Sequence, residues 1–227
     1  YELSQGRGVV DVTGQVQSLY RDNDTDGDEG RDVSRASLGV HWNRSTLFGP
    51  GMLARFDAAL YADHFSINQD STFDNQVSRV TPYLASELRW PVAMTTAKGV
   101  RHVIEPVAQL VWSQDSYDAA PNESGPQAQF DEGNLFALSR FDGQDARELG
   151  ARATFGLGYT RYDPDGWSMG ATIGRSYRNE DLGQFNASSG LTGTQSDWIT
   201  AVHLKLYDRL TLINRAVFDD SFNFARS

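Results

Sequence analysis

Apolar and polar residues alternate along this chain with a period of two, in runs longer than an ordinary sheet requires. Val10, Val12, Val16 and Tyr20 alternate with Asp11, Thr13, Gln15 and Gln17, and Ala36, Leu38, Val40 and Trp42 with Arg35, Ser37, His41 and Asn43. Met52, Ala54, Phe56, Ala58, Leu60 and Ala62 oppose Arg55, Asp57, Tyr61 and Asp63; Val80, Leu84, Leu88 and Trp90 oppose Arg79, Thr81, Glu87 and Arg89. Val100, Ile104, Ala108, Leu110 and Trp112 stand against Arg101, Glu105 and Gln109, and Leu149, Ala151, Ala153, Phe155, Leu157 and Tyr159 against Glu148, Arg152 and Thr154. Trp167, Met169, Ala171 and Ile173 oppose Ser168, Thr172 and Ser176, and two shorter strands follow near Asp197 to Leu206 and Leu210 to Asp219. Successive strand side chains point to opposite faces, so each run has one apolar and one charged face. The pattern predicts roughly nine strands, several of about ten residues or more, where a globular strand averages about five or six. The expected fold is all-β: an antiparallel up-and-down transmembrane barrel segment.

The connections point the same way. Those expected at 21–32, 44–51, 66–76, 91–97, 113–145, 162–166, 179–195 and 207–209 alternate longer with shorter. Outer-membrane barrels have short periplasmic turns and longer extracellular loops. This places 21–32 and 113–145 outside, and the "YDPDG" and "YDR" turns in the periplasm. Trp42, Trp90, Trp112, Trp167 and Trp198, with Tyr20, Tyr159 and Tyr177, fall at or near predicted strand ends, as two interfacial girdles require.

Hydropathy alone would miss this, since the mean is -0.49 and no run approaches the ~18 apolar residues of a spanning helix. A net charge of -10 argues against nucleic acid, whose phosphates want a basic face. Lys98 and Lys205 are the only lysines among 20 basic residues, so the positive charge is almost all guanidinium, suited to bidentate pairing. No cysteine is present, which excludes disulfides and thiolate metal sites.

Specific chemistry is sparse. "RDNDTDGDEGRD" sets Asp22, Asp24 and Asp26 on alternate positions before Gly27, as a calcium loop does, but Val33 stands where the bidentate Glu belongs. We read it as a solvated loop between strands, with no metal site. His41, His64, His102 and His203 lack metal-ligand spacing, and no nucleophile elbow, P-loop or dinucleotide fingerprint is present. No cofactor is implied. The glycines of "GLGY" and "SMGATIG" are expected on the lumen face, making room for contents or curvature.

One region carries a family signature. Pro121, Asn122, Glu123 and Ser124, then Asn134, Leu135 and Phe136, then Arg140, Phe141, Gly143, Asp145 and Arg147 resemble the barrel domain of the LptD family, with Ala146 as an insertion. "GATIGRSYR", Gly170 to Arg178, resembles the family strand that follows. The resemblance implies a very large barrel that takes lipopolysaccharide from a periplasmic Lpt bridge and releases it to the outer leaflet of a Gram-negative outer membrane. It also implies an LptE-type lipoprotein plugging the lumen, and no enzymatic activity. A generic porin-like channel and an outer-membrane hydrolase are the alternatives, the second needing a paired Ser and His that nothing here nominates.

Residues 1–227 then form part of one barrel domain, an internal stretch without the family's N-terminal periplasmic domain or its C-terminal strands. About nine or ten strands cannot close a cylinder of that size. Arg79, Glu87, Arg89, Arg101, Glu105, Glu148 and Arg152 are expected to face the lumen, pairing with one another or meeting the plug or lipid phosphates. Phe136 and Phe141 are expected to pack the long loop over the barrel mouth as a lid. Pro82 and Pro106, each about nine residues from the 91–97 turn, are expected at one level of a hairpin, as a weak seam whose carbonyls are met by Arg79, Arg101 or water.

Overall fold

The computed structural model describes residues 2–4, 8–125, 128, 130–207 and 209–226; Pro126, Gln127 and Gln129 of the long loop and Asp208 of the "YDR" turn lie outside them. Among the described residues twelve strands form one antiparallel sheet: β1 (Glu2–Ser4), β2 (Val9–Leu19), β3 (Asp32–Phe48), β4 (Met52–Asn68), β5 (Gln76–Arg89), β6 (Val92–Thr95), β7 (Arg101–Ser113), β8 (Arg152–Tyr162), β9 (Trp167–Arg178), β10 (Trp198–Leu206), β11 (Leu210–Phe218) and β12 (Phe224–Arg226). Strands adjacent in the chain are adjacent in the sheet, except that β6 lies off the path and pairs β7. Among the described residues β1 pairs only β2 and β12 only β11, so the sheet is open and does not close by itself.

The alternation becomes geometry in β3 and β4, 17 residues each, which pair without a slip from Asp32↔Asn68 to Phe48↔Met52. Gly49 (φ 52°) and Gly51 (φ 87°) make the tight reversal between them, in a region that L side chains avoid. Leu38, Val40, Phe56, Leu60, Val80, Leu84, Leu110 and Leu157 lie exposed on one face, while Arg35, Asp63, Arg79, Gln109 and Arg152 are buried on the other. A water-soluble sheet has the reverse arrangement; here apolar side chains face outward as hydrocarbon demands.

Connections alternate as expected, with shifted bounds. From β2 to β11 the long ones are 20–31, 69–75, 114–151 and 179–197, and the short ones 49–51, 96–100, 163–166 and 207–209; the next, 219–223, is short although it falls on the long side. The strands run further than the alternation suggested, because pairing continues into polar ends. Trp42 therefore sits inside β3, opposite Ala58, rather than at a strand end. Trp112 and Trp198 lie at the long-loop ends of β7 and β10, and Trp90 and Trp167 at the short-turn ends of β5 and β9.

The prolines do not share a level. The β5–β7 ladder runs from Tyr83↔Ser113 to Arg89↔Val107, and β6 continues the same register from Val92↔Ile104 to Thr95↔Arg101. The hairpin thus turns at 96–100, not 91–97, with Gly99 at φ 81°. Pro82 precedes the first pair of that ladder, whereas Pro106 lies within β7, between the stretches paired with β5 and with β6 and opposite Leu157 of β8. Their carbonyls accept from the Ser113 hydroxyl (2.8 Å) and the Trp90 N–H (3.1 Å), not from arginine. Pro91, with no N–H to offer, marks the break between β5 and β6.

The core lies between the polar face and the 114–151 loop. Ala128, Phe130 and Leu135 of the loop pack with Leu191, Ile199 and Val217; Leu138 packs against Ala59, Tyr83, Ala85 and Val111. Val33, Phe65, Ile67 and Val77 form a third cluster nearer the long-loop ends of β3, β4 and β5.

Candidate functional site

The 114–151 loop is folded down onto the polar face and held there by two buried charge clusters. In the first, Glu148 is fully buried among three guanidiniums: Arg140 Nη1 at 2.7 Å, Arg178 Nη2 at 3.1 Å and Arg152 Nε at 3.6 Å. Arg140 also donates to the Leu135 carbonyl (2.9 Å), Thr154 Oγ1 (3.2 Å) and Ser176 Oγ (2.8 Å), so a loop residue is bonded to β8 and β9 at once. Arg152 returns the contact from the wall, donating to the carbonyls of Ala137 and Leu138 at 2.9 and 2.6 Å. Burial pulls Arg140 down to about 9, leaving it charged at neutral pH. Burial also opposes ionisation of Glu148, but Arg140, Arg152 and Arg178 together outweigh it and hold the carboxyl below its ordinary value.

The second cluster seats the other end of the motif. Asp145 pairs with Arg35 of β3 and accepts from the Ser124 N–H at 2.7 Å and from the Ser124 hydroxyl, while Arg79 of β5 donates to its carbonyl. Arg147 reaches Asp63 of β4 at 3.3 Å and lies 3.8 Å over the Tyr61 ring. Arg79, 3.3 Å from the same carboxylate, is held between the Phe65 and Tyr117 rings at 4.7 and 4.4 Å. Flat guanidiniums bond a carboxylate through the edge while stacking on ring faces, a planar geometry the point-charge ammonium of lysine lacks. Gly143 (φ 79°) turns the chain against Ser124, where a Cβ would overlap the serine side chain.

Between the clusters the loop is anchored by shape. Leu135 is fully buried and lies over Gly156 and Gly174, registered partners on β8 and β9. A Cβ on Gly174 would fall on Leu135, and one on Gly156 would come within 2.9 Å of the Phe136 ring. The Phe136 carbonyl accepts from Gln109 (2.8 Å), and its ring lies 5.4 Å from Arg89. Asn134 and Asp131 brace this turn through mutual backbone-to-side-chain bonds of 3.1 and 3.2 Å. Phe141 stacks on Phe185 of the 179–197 loop at 4.9 Å.

Glu123 points toward a third, outer group, taking Arg21 at 2.7 Å and Arg31 at 2.8 Å. Arg31 also binds Asp70 and Asp28, both at 2.6 Å. Asp26 accepts from Ser71 N–H and Oγ at 2.7 and 2.6 Å, and Asp24 from Gln69 at 3.0 Å. The acidic loop thus ties 20–31 to 69–75 and to the long loop. Among the described residues no group of three or more His, Asp or Glu is placed to hold a metal. Arg31→Ala is expected to uncouple the three loops, with several-fold faster proteolysis within 20–31 and the sheet intact; an unchanged cleavage rate would refute the coupling.

The motif residues Pro121 to Ser124, Asn134 to Phe136, and Arg140, Phe141, Gly143, Asp145 and Arg147 are therefore brought together in one seated loop, with Pro121 itself fully buried. Of the wall residues, Arg79 and Arg152 bond to the loop, while Arg89, which also faces the Phe136 ring of the loop, links Glu87 at 2.6 Å and Glu105 at 3.0 Å. Glu148 belongs to the loop rather than to a strand, and Arg101 is exposed at the turn end of β7. The reading from sequence passed over Arg35, Asp63, Thr154, Ser176 and Arg178 as partners. Their signal was available: a run of charges on the inward side of a strand needs counter-charges, and the long loop supplies them.

An antiparallel sheet with apolar side chains outward and a loop packed on its charged inner face is the wall of a membrane β-barrel with a partly filled lumen. A family model described as LPS transport system D, LptD, matches residues 1–227, and the chain belongs to that family of outer-membrane lipopolysaccharide transport proteins. No curated protein matched the chain.

Proposed function

We propose that this chain forms wall strands of the translocon that sets lipopolysaccharide into the outer leaflet, as one stretch of a larger barrel domain. The 114–151 loop is its built-in plug. The seating of that loop by buried charge clusters on β3, β4, β5, β8 and β9 carries the reading. A transport wall must keep its lumen closed to small solutes while holding a passage for lipid, and a loop fixed to the inner face does the first of these. The inward charges serve this docking, with no covalent step. Beside the loop, a polar cavity of about 500 Å³ lies between Asp57, Glu87, Arg89 and Glu105 of the wall and Glu132 of the loop. Its lining suits the polar surface of an LptE-type lipoprotein, with cargo arriving over a periplasmic Lpt bridge through an N-terminal domain.

Two measurements test this in cells carrying the full-length protein. Phe136→Ala and Phe141→Ala are each expected to loosen the plug, raising entry of large antibiotics several-fold and lowering surface lipopolysaccharide. Unchanged permeability and export in both variants would sink the plug. Protease added to intact cells is expected to cut within 20–31 or 114–151, the second more slowly because it is seated, and to spare 163–166. Cleavage confined to the short turns would invert the topology.

A further inference from the structure

The apolar face is not smooth. A groove of about 850 Å³ lies between two neighbouring rows of side chains. One row runs Trp42, Ala58, Leu84 and Trp112 across β3, β4, β5 and β7, each the registered partner of the next. The other runs Phe56, Ser86, Leu110, Ala153 and Tyr177 from β4 to β9 in the same way. Small side chains at Ala58, Ser86 and Ala153 leave the floor open, and the aromatic rings stand as its walls.

The course of the groove across the strands sets its depth. Tyr177 and Ala153 lie beside the long-loop ends of β9 and β8, whereas Trp42 is in the middle of β3. The groove therefore opens at the long-loop rim, by Ala151 and Asn179, and descends to the middle of the wall. From β3 to β9 along the sheet order the path crosses five strand spacings, about 24 Å at ~4.8 Å each. With strands tilted by about 45°, that is about 17 Å of depth, close to half of the ~30 Å hydrocarbon core. Rows two residues apart on a strand are separated by about 7 Å, too narrow for a helix of about 10 Å.

We propose that this groove seats an acyl chain of one lipopolysaccharide molecule in the outer leaflet, its tail at Trp42 and its headgroup end at the rim by Asn179. This rests on the translocon reading, which sets the long-loop rim on the side where the family delivers its lipid. The groove continues the apolar face already turned to hydrocarbon, and its width matches an acyl chain, not a helix. It holds one delivered molecule beside the wall rather than a freely exchanging one.

The test uses full-length protein purified with its partners from the outer membrane in mild detergent and examined by native mass spectrometry. The parent complex is expected to retain lipopolysaccharide through washing, and the double variant Ser86→Phe/Ala153→Phe to retain about ten-fold less, since filled floor positions remove several methylene contacts. Leu157→Phe, on the same face outside the groove, should retain it as the parent does. Equal retention in the double variant overturns the proposal, as does retention of phosphatidylethanolamine in place of lipopolysaccharide. Should the double variant not assemble, a photoreactive phenylalanine at Leu110 should label lipopolysaccharide in cells; labelling of phospholipid alone overturns the proposal. Surface lipopolysaccharide in the same strains tests the transport reading separately: normal export with an empty groove removes this inference and leaves transport standing.

Discussion

Glu148→Ala is expected to release the 114–151 loop from the wall, because it leaves Arg140, Arg152 and Arg178 buried around no carboxylate. Breaking a buried pair from one side costs about 3–5 kcal/mol, much of it the penalty of the charges left behind. The loss should appear as a lower denaturant midpoint for the refolded full-length protein and as rapid proteolysis in 114–151. Arg140→Ala should cost less, since Glu148 keeps Arg152 and Arg178. Equal effects of the two substitutions would mean that the carboxylate is not the hub.

The pH dependence follows from the same cluster. Glu148 has its folded value held below the ordinary 4.5. Its contribution is therefore fully present above the ordinary carboxylate value and is lost only as pH falls through the lower folded one. Loop docking should thus be unchanged between about pH 7 and 5.5 and should weaken only in stronger acid. Release of the loop near pH 6 would show that some other group governs it.

Gly174→Leu should eject the loop by crowding instead of by charge. Its Cβ would overlap Leu135 and lie 2.8 Å from the Phe155 carbonyl, which is backbone and cannot yield. Overpacking costs about 1–3 kcal/mol, and losing the burial of Leu135 adds about 1.5–3 kcal/mol. The expected result is several-fold higher antibiotic entry with the barrel still assembled. Gly158→Ala is the matched control, because the nearest atoms to its Cβ lie at 3.7 and 3.8 Å, an ordinary contact distance. A Gly174→Leu strain with parental permeability would show that the Leu135 seat does not keep the loop closed.

Sequence and structure divide along the range of the forces involved. Period-two alternation is a local property of the strand, so the up-and-down sheet, its apolar outer face and the long and short connections were all legible in residues such as Leu38, Leu60 and Leu84. Arg79 and Arg152 stand opposite the apolar positions of the same strands, and both are buried on the polar face. The family signature marked the loop residues without saying what they touch. Register was not legible: Pro91 interrupts β5 without ending its hairpin, so the turn moved to 96–100 and the two prolines separated. Trp42 moved inward because polar Asn43 to Thr46 go on pairing with β4, and backbone hydrogen bonds are indifferent to side-chain polarity.

The chain by itself thus determined which side of each strand meets hydrocarbon and which carries charge, since that is written in neighbouring residues. Only the tertiary structure decided that Glu148 is shared by Arg140, Arg152 and Arg178, that Asp145 meets Arg35, and that Leu135 finds Gly156 and Gly174. Arg35 and Asp145 are 110 residues apart and Arg178 and Glu148 are 30 apart, and even Arg140, 8 residues from Glu148, meets it only where the loop folds back on itself. Each pairing depends on where a long loop comes to rest, and no local periodicity encodes that.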